Sequence, residues 1–465
     1  MADAFKAGVG VIDITPPLGT GLAGYLNFRA SAHVHDPLRV KCIVLDNGQE
    51  RIAIAVCDLI AIAKEQVDEA RHLINGHTGI PMTHILVAAV HTHSGPPVGT
   101  GLFQVEPDRK YLETLPVRIA DGVRCAVNNL QPARIGWGAG HESSVVFNRR
   151  YHMKPGTVPP NPFGGIDKVK MNPGVRNPNI VGPAGPIDPQ IGLLSIQYDD
   201  GRPMALLGNY ALHYVGGNPP LDISADYFGM WCEEMARLAD IPGGEADRER
   251  PPFLAILTNG CSGDINNIDV RGEKRQSYPY HQMRKVARIV AAESYKAWQR
   301  IEHHDWVPLA ARETLLTLGV RKPSPAEVEE ARRKLAGTGP NLEEMAQVYA
   351  RETVLLNEWP DTMQCAVQAM RIGGLGIVTF PGEAFCELGL AVKKASPFET
   401  MLCIELANGY HGYIPTAEAH EAGGYETWRA RSSCLEKLAA PKMVAAGVEM
   451  LKALAATGPA PTRPA

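Results

Sequence analysis

The chain has 465 residues, 45% hydrophobic and 21% charged, with a formal net charge of −4. That length allows a large core, and the near-balanced charge lacks the footprint of a protein that binds nucleic acid or an anionic membrane surface. Nine cysteines, an odd number with no Cys-x-x-Cys spacing, argue against a disulfide framework and for a reducing compartment. The opening residues Met1-Ala2-Asp3-Ala4-Phe5-Lys6 show no charged leader followed by an apolar stretch, and no run of about 18 apolar residues occurs. A cytoplasmic protein with no membrane insertion is expected.

In chain order, apolar and β-branched runs predict strands over 40–46 and 52–58, and helical spacing predicts a helix over 65–74. A strand over 85–90 and a long helix over 108–127 follow, then strands over 133–137, 191–196 and 204–209. Next come a helix over 227–238, a strand over 253–257 and helices over 282–301, 325–335 and 341–356. Strands over 366–371 and 375–380 precede helices over 383–393 and 435–454. This alternation predicts an α/β fold with mixed β-sheets flanked by helices, because several strand pairs are joined too tightly for a crossover helix.

Segment 151–186 is rich in Pro, Gly and Asn without periodicity, and reads as a long loop acting as a lid. Residues 321–359 read as a charged helical insert with a solvated face, and 455–465 as a disordered tail. Glycine clusters at 95–101 and 260–263 fit neither a dinucleotide fingerprint nor a phosphate loop.

The chemistry-bearing stretch that stands out is His91-Thr92-His93-Ser94-Gly95-Pro96, closing the apolar run 85–90. On a strand, residues i and i+2 lie roughly 7 Å apart on one face, so two imidazoles there would meet one metal ion. A second histidine, His213, ends another apolar run that breaks into Gly216-Gly217-Asn218-Pro219-Pro220. Glu383 follows the strand over 375–380 and is expected at a helix start. Residues 408–416 place Tyr410, His411 and Tyr413 on a loop, and residues 259–267 form a polar, glycine-rich turn containing Asp264. Ser94-Gly95-Pro96 departs from the x-Asp-His that follows His-x-His in metallo-β-lactamase-like hydrolases. The irregular spacing does not supply the eight βα units of an amidohydrolase barrel.

Taken together, these motifs resemble the neutral/alkaline (non-lysosomal) ceramidase family, catalytic domain only. The resemblance begins at Ala7-Gly8-Val9-Gly10 and Ile12-Asp13-Ile14-Thr15-Pro16-Pro17, passes through Gly24-Tyr25 and His35-Asp36-Pro37-Leu38-Arg39, and includes the His91 stretch. It continues through Asn148-Arg149, the strand bearing His213, Ser224-Ala225-Asp226, Gly263-Asp264-Ile265, Pro381-Gly382-Glu383 and the region from Tyr413 to Tyr425. It implies a zinc amidase with His91, His213, Glu383 and Tyr413 as metal ligands, and His93, Arg149 and Tyr425 donating hydrogen bonds around the scissile carbonyl. Asp264 is expected to orient a ligand histidine or relay a proton to the leaving amine. Asn148, Asn266 and His35 are expected to meet substrate.

The chain departs from the family at Asn266, where ceramide-cleaving members carry a Ser proposed as catalytic, and at Asn267 in place of a Pro. A serine nucleophile is excluded there, and a metal-activated water is expected instead. The immunoglobulin-like domain and secretion signal of longer members are not expected here, and the substrate expected is a small N-acyl compound other than membrane ceramide. An ester, lactone or acyl-sugar hydrolase and a non-catalytic ligand-binding homologue stand as alternatives; a structural metal site is disfavoured by the Glu and Tyr ligands. Motifs run from His35 to Tyr425, so 1–454 is expected to form one catalytic unit; an oligomer is left open.

Overall fold

Strand-forming runs in this chain are buried on both faces. In Arg39–Asp46, Val40, Cys42 and Val44 point into one core while Ile43 and Leu45 point into another. Arg51–Cys57 and Ile85–Ala89 alternate the same way. Burial on both sides explains why these segments read as nearly unbroken apolar runs.

The computed structural model describes residues 4–25, 27–99, 105–239, 251–273, 278–339, 342 and 344–456, so the tail expected beyond 456 lies outside the described residues. Its eight-stranded sheet runs in the order Leu254–Asn259, Pro203–Tyr210, Gln190–Tyr198, Gln131–His141, Lys6–Asp13, Arg39–Asp46, Arg51–Cys57, Ile85–Ala89. The outermost pair at each end is parallel and the pairs between them are antiparallel. A four-stranded sheet, Leu309–Gly319, Thr362–Ile372, Leu375–Thr379 and Thr400–Ile404, ends in a third parallel pair. Ile191 and Leu193 of the first sheet share a core with Ile377 and Leu402 of the second. The helices Lys64–Thr78 and Arg109–Asn128 cover the first sheet's other face, and Ala439–Ala455 with Cys386–Ala395 covers the second's. The fold is therefore α/β with mixed sheets, as the sequence predicts.

Three strands of these two large sheets escape the sequence pattern, Lys6–Asp13, Leu309–Gly319 and Thr400–Ile404. The first contains Gly8 and Gly10 because the helix Arg109–Asn128 lies directly on it. A Cβ on Gly8 would sit 2.1 Å from Ala126 O, and one on Gly10 2.2 Å from Gly122 O. Leu309–Gly319 is an edge strand whose residues are mostly half-exposed, so its pattern is polar.

Three expectations are corrected. The lid is not a structureless loop: Arg150–Met153, Val169–Met171 and Ile180–Pro183 form a three-stranded sheet. Glu383 does not start a helix; it lies in the two-residue strand Glu383–Ala384, paired with Tyr413–Ile414, and the helix begins at Cys386. His91 lies beyond the strand Ile85–Ala89, with a left-handed φ of 79°.

The three parallel pairs within these two large sheets finish on one rim. The chain leaves them into the segments bearing His91, His213, Asp264, Glu383 and Tyr413. The sheets are stitched together there by the bridge Ala88 to Ala407 and by Asn408, whose N–H donates to Val87 O at 2.8 Å and whose Oδ1 accepts from Val87 N–H at 3.1 Å. Carboxyl ends of strands in open α/β sheets are where such folds carry their sites.

Candidate metal centre

Three imidazoles are oriented by the main chain. His91 Nδ1 lies 2.7 Å from Ile60 O, His213 Nδ1 3.2 Å from Ser262 O, and His93 Nδ1 3.1 Å from Gly24 O. A carbonyl only accepts, so each Nδ1 carries the proton and each Nε2 keeps its lone pair. Those lone pairs converge: His91 Nε2 is 3.1 Å from His213 Nε2 and 3.1 Å from His93 Nε2. Glu383 Oε2 stands 3.4 Å from His91 Nε2 and 3.8 Å from His213 Nε2, buried and without a hydrogen-bond partner, while Oε1 accepts from the Tyr410 hydroxyl at 2.8 Å.

Electron-rich atoms packed in this way repel one another unless a cation sits among them. Zinc bonds of about 2.0–2.1 Å at tetrahedral angles place ligand atoms about 3.3 Å apart, which the observed spacings bracket. The donor set therefore fits a divalent metal. His93 falls inside this cluster, its ligand atom grouped with those of His91 and His213 within 4.8 Å, closer than a residue serving only the substrate carbonyl requires. Because its proton is on Nδ1, neutral His93 accepts at Nε2 rather than donating there, which corrects the expectation that it donates to the carbonyl.

The electrostatics keep His93 and His213 neutral. Burial, with His91 and Arg149 nearby, holds His93 and His213 well below the usual imidazole range. Burial pushes the Glu383 carboxyl up, but His91, Arg149 and the Tyr410 hydroxyl outweigh it and hold it below the ordinary value. Burial and Glu383 push the Tyr413 phenol well above its ordinary value.

Tyr413 pairs directly with Glu383 across the two short strands. Its hydroxyl accepts from Arg149 Nη2 at 3.2 Å, and its ring meets Tyr425 edge-on at 5.9 Å. Arg149 is fixed from behind, Nε donating to Glu426 Oε1 at 2.8 Å, while Arg150 Nη1 donates to Glu426 Oε2 at 2.6 Å. Although burial opposes its ionisation, Arg150 and Arg149 hold the Glu426 carboxyl below its ordinary value. Burial and Glu383 keep Tyr425 protonated, so its hydroxyl is available to donate.

Other expected residues are used differently. Asp264 orients no ligand histidine, since those Nδ1 positions are taken by carbonyls; its Oδ1 caps the helix Cys386–Ala395 at Cys386 N, 2.8 Å away, and its Oδ2 accepts from Asn148 Nδ2 at 2.6 Å. Asn148 is engaged on every side, bonding Asp264, Pro186 O at 3.2 Å and the Arg150 N–H at 3.0 Å, so it braces the turn instead of meeting substrate. Asn266 is likewise committed, donating to Asn172 Oδ1 of the lid at 2.5 Å and accepting from the Ile268 N–H at 2.9 Å. His35 bonds Asp36 at 2.6 Å and stacks on Tyr280 at 3.8 Å, apart from the histidine cluster.

Several participants are not singled out by sequence reasoning. Tyr214 stacks on His93 with ring centroids 3.6 Å apart and Glu426 anchors Arg149, while Tyr410, noted in the sequence only as one ring of the 408–416 loop, orients Glu383. Tyr214 directly follows His213, so adjacency to a candidate ligand is the one signal it offers. Gly24 approaches His93 so closely that a Cβ there would lie 2.4 Å from the ring, and its φ is 92°.

No family profile matches the chain. It is 23% identical to the neutral ceramidase of Pseudomonas aeruginosa over 480 aligned residues, covering 91% of this chain and 68% of that protein. Against neutral ceramidase B of Dictyostelium discoideum the identity is 22% over 275 residues, 57% of this chain and 35% of that protein. The match thus spans only about a third of the Dictyostelium relative. In fold, the chain superposes on the crystal structure of the Pseudomonas aeruginosa neutral ceramidase with a TM-score of 0.72 at 20% identity, covering 99% of this chain and 76% of that one. A structure described as ceramidase complexed with C2 gives a TM-score of 0.71, also at 20% identity, covering 99% and 77%.

Proposed function

From a chain that is neutral-ceramidase-like in sequence and in fold, we propose a zinc-dependent hydrolase that cleaves the amide bond between an acyl group and an amine. The observation that carries this reading is the convergence of three imidazole Nε2 atoms, two of them, from His91 and His213, facing the partnerless Glu383 Oε2, beside Arg149 and two tyrosine hydroxyls. His91, His213 and Glu383 would hold the metal, with Tyr413 flanking them for a further position and His93 Nε2 left free beside it. Nitrogen and carboxylate donors suit zinc, and when bound it supplies a water acidified to a pKa of about 7 and a Lewis acid for the carbonyl.

The chain's own groups do the rest. Arg149, fixed by Glu426, directs positive charge toward the oxygen that becomes an oxyanion when water adds to the carbonyl carbon. Tyr425 donates a hydrogen bond from its hydroxyl to the same oxygen. His93 Nε2 accepts a proton from the attacking water and returns it to the departing nitrogen, so the C–N bond breaks as a neutral amine and a carboxylic acid form. Stacking on Tyr214 and the bond to Gly24 keep that ring in place.

The class proposed is a small N-acyl compound; the same site would attack an ester, and the amide preference rests on the relatives alone. Metal analysis of the purified chain, followed by a panel of paired N-acyl and O-acyl substrates with and without chelator, tests it. About one zinc per chain and chelator-sensitive amide cleavage are expected. A metal-bearing chain that cleaves only O-acyl substrates would transfer the reading to an esterase, and one that cleaves neither would make it a binding homologue. All nine cysteines are unpaired, which supports a cytoplasmic setting. Among the described residues no helix is long and apolar enough to cross a membrane.

A further inference from the structure

We infer that Asp226 is a positioning residue for the reaction: its carboxylate holds the main chain at Val215 and Gly216, so that Gly216 packs on Tyr214 and Tyr214 on His93. That His93 carries the proton rests on the amide-hydrolase reading; how its ring is aimed does not.

Asp226 opens the helix Asp226–Leu238 and is buried, with a left-handed φ of 58° that few residues other than glycine adopt. Such a conformation persists only where its surroundings hold it. Three main-chain N–H groups converge on this one side chain. Val215 N donates to Oδ1 at 2.8 Å and Tyr227 N to the same oxygen at 2.6 Å, while Gly216 N donates to Oδ2 at 2.9 Å. Anchoring the helix start requires only the bond to Tyr227. The other two reach back to the chain just beyond His213 and Tyr214. Gly216 is the point of contact: its φ is 69°, and a Cβ there would lie 3.1 Å from Tyr214 Cε2. Tyr214 in turn stacks on His93 at 3.6 Å with the ring planes 15° apart.

Residues 224–226 also grip the histidine side of that stack. Ser224 O accepts from the Thr92 hydroxyl at 2.6 Å and Ser224 N donates to Ser94 O at 3.1 Å, on either side of His93 in the chain. Asp36 fixes this junction, its two oxygens accepting from Ser224 Oγ and Ala225 N at 2.7 Å each. One short segment thus sets both rings, His93 through its neighbours in sequence and Tyr214 through Gly216.

An ionised carboxylate only accepts, so both oxygens suit N–H donors. Asn at this position tolerates the left-handed backbone and keeps Oδ1 on Val215 and Tyr227, but turns its Nδ2 on the Gly216 N–H. Gly relaxes the backbone and removes all three bonds.

The test uses the metal-loaded full chain, its Asp226→Asn and Asp226→Gly variants, and the same variants in a Tyr214→Leu background. Two quantities are read: kcat and KM on an N-acyl amine and, independent of turnover, the NMR signals of the His93 ring in histidine-labelled protein, identified with His93→Gln. A ring stacked on Tyr214 has its protons displaced upfield. Both variants should keep the metal and KM, lose kcat on the order of 10- to 100-fold, and return the His93 signals downfield. In the Tyr214→Leu background, Asp226→Asn should change kcat by less than about twofold, because the ring through which it acts is gone. Asp226→Gly equal to the parent in kcat and His93 signal would mean that only the backbone turn matters, and overturns the inference. So does an Asp226→Asn loss undiminished by removal of Tyr214. In a chain that cleaves no amide the His93 signals decide alone: movement in Asp226→Asn keeps the positioning role and removes the amide reading, and unmoved signals overturn the positioning role. Should Asp226→Gly fail to fold, Asp226→Asn, which keeps the turn and the bond to Tyr227, carries the test.

Discussion

Replacing Glu387 by Gln should make the protein more stable at pH 8 than its parent and leave it nearly unchanged near pH 5. Glu387 lies in the first turn of the helix Cys386–Ala395, where a helix dipole ordinarily favours a carboxylate. Here burial and the neighbouring Asp264 push its pKa from 4.5 to about 7, and Asp264 is itself raised, mainly by burial, from 3.8 to about 6. The two groups crowd Gly185, where a Cβ would lie 2.9 Å from Glu387 Oε1 and 3.1 Å from Asp264 Oδ2, and Glu387 Oε2 is buried without a partner. A folded-state pKa above the unfolded one means the native chain keeps a proton that the unfolded chain has released. Stability therefore falls as pH rises from about 4.5 to 7 and levels off above that window. At about 1.36 kcal/mol per unit, a rise of about 2.5 units amounts to roughly 3 kcal/mol at most. Urea unfolding of parent and variant at pH 5, 6, 7 and 8 reads the contribution of the pair, since removing the Glu387 charge also relieves Asp264. A stability difference that stays constant across the four pH values would refute the account of this carboxyl pair.

His213→Ala should strip the metal, read by elemental analysis, because it removes a lone pair that faces His91 Nε2 at 3.1 Å. Tyr425→Phe should keep the metal and lower kcat on the order of 100-fold, the usual cost of one oxyanion donor. Glu426→Gln should destabilise the fold by about 3–5 kcal/mol in a denaturant melt, since Arg149 and Arg150 would stay buried with their shared counter-charge removed. Gly24→Ala should displace the His93 ring and cut turnover while the melting temperature falls only modestly, because the strain is confined to one loop residue.

Strands such as Arg51–Cys57 were legible because burial on both faces leaves an unbroken apolar run, and long helices such as Arg109–Asn128 because one face repeats every turn. The strand Lys6–Asp13 was not, since the contact that demands Gly8 and Gly10 comes from a helix more than 100 residues away. At the site, the histidines and Glu383 could be singled out because strand ends opening into loops are distinctive. Their local geometry could not: His91 meets His93 through a left-handed residue beyond the strand, and not through the i, i+2 register of a strand. Asp264 looked catalytic for its polar, glycine-rich turn, yet that turn serves to cap a helix whose start the sequence placed three residues early. Glu426 carries no local pattern at all, and Tyr410 reads only as one ring of a loop cluster; their importance exists only where Arg149 and Glu383 arrive from elsewhere in the chain.

Each imidazole is aimed by a peptide oxygen, from Ile60, Ser262 or Gly24, and none by a carboxylate side chain. Those oxygens are present whichever amino acid occupies the position. Point changes at residues 60 and 262 therefore leave the aiming bonds chemically intact, and the centre is exposed instead to one-residue insertions or deletions, which would slide the carbonyl away from its ring. Drift along this lineage should be tolerant of side-chain replacement behind His91 and His213 and intolerant of any change in loop length there.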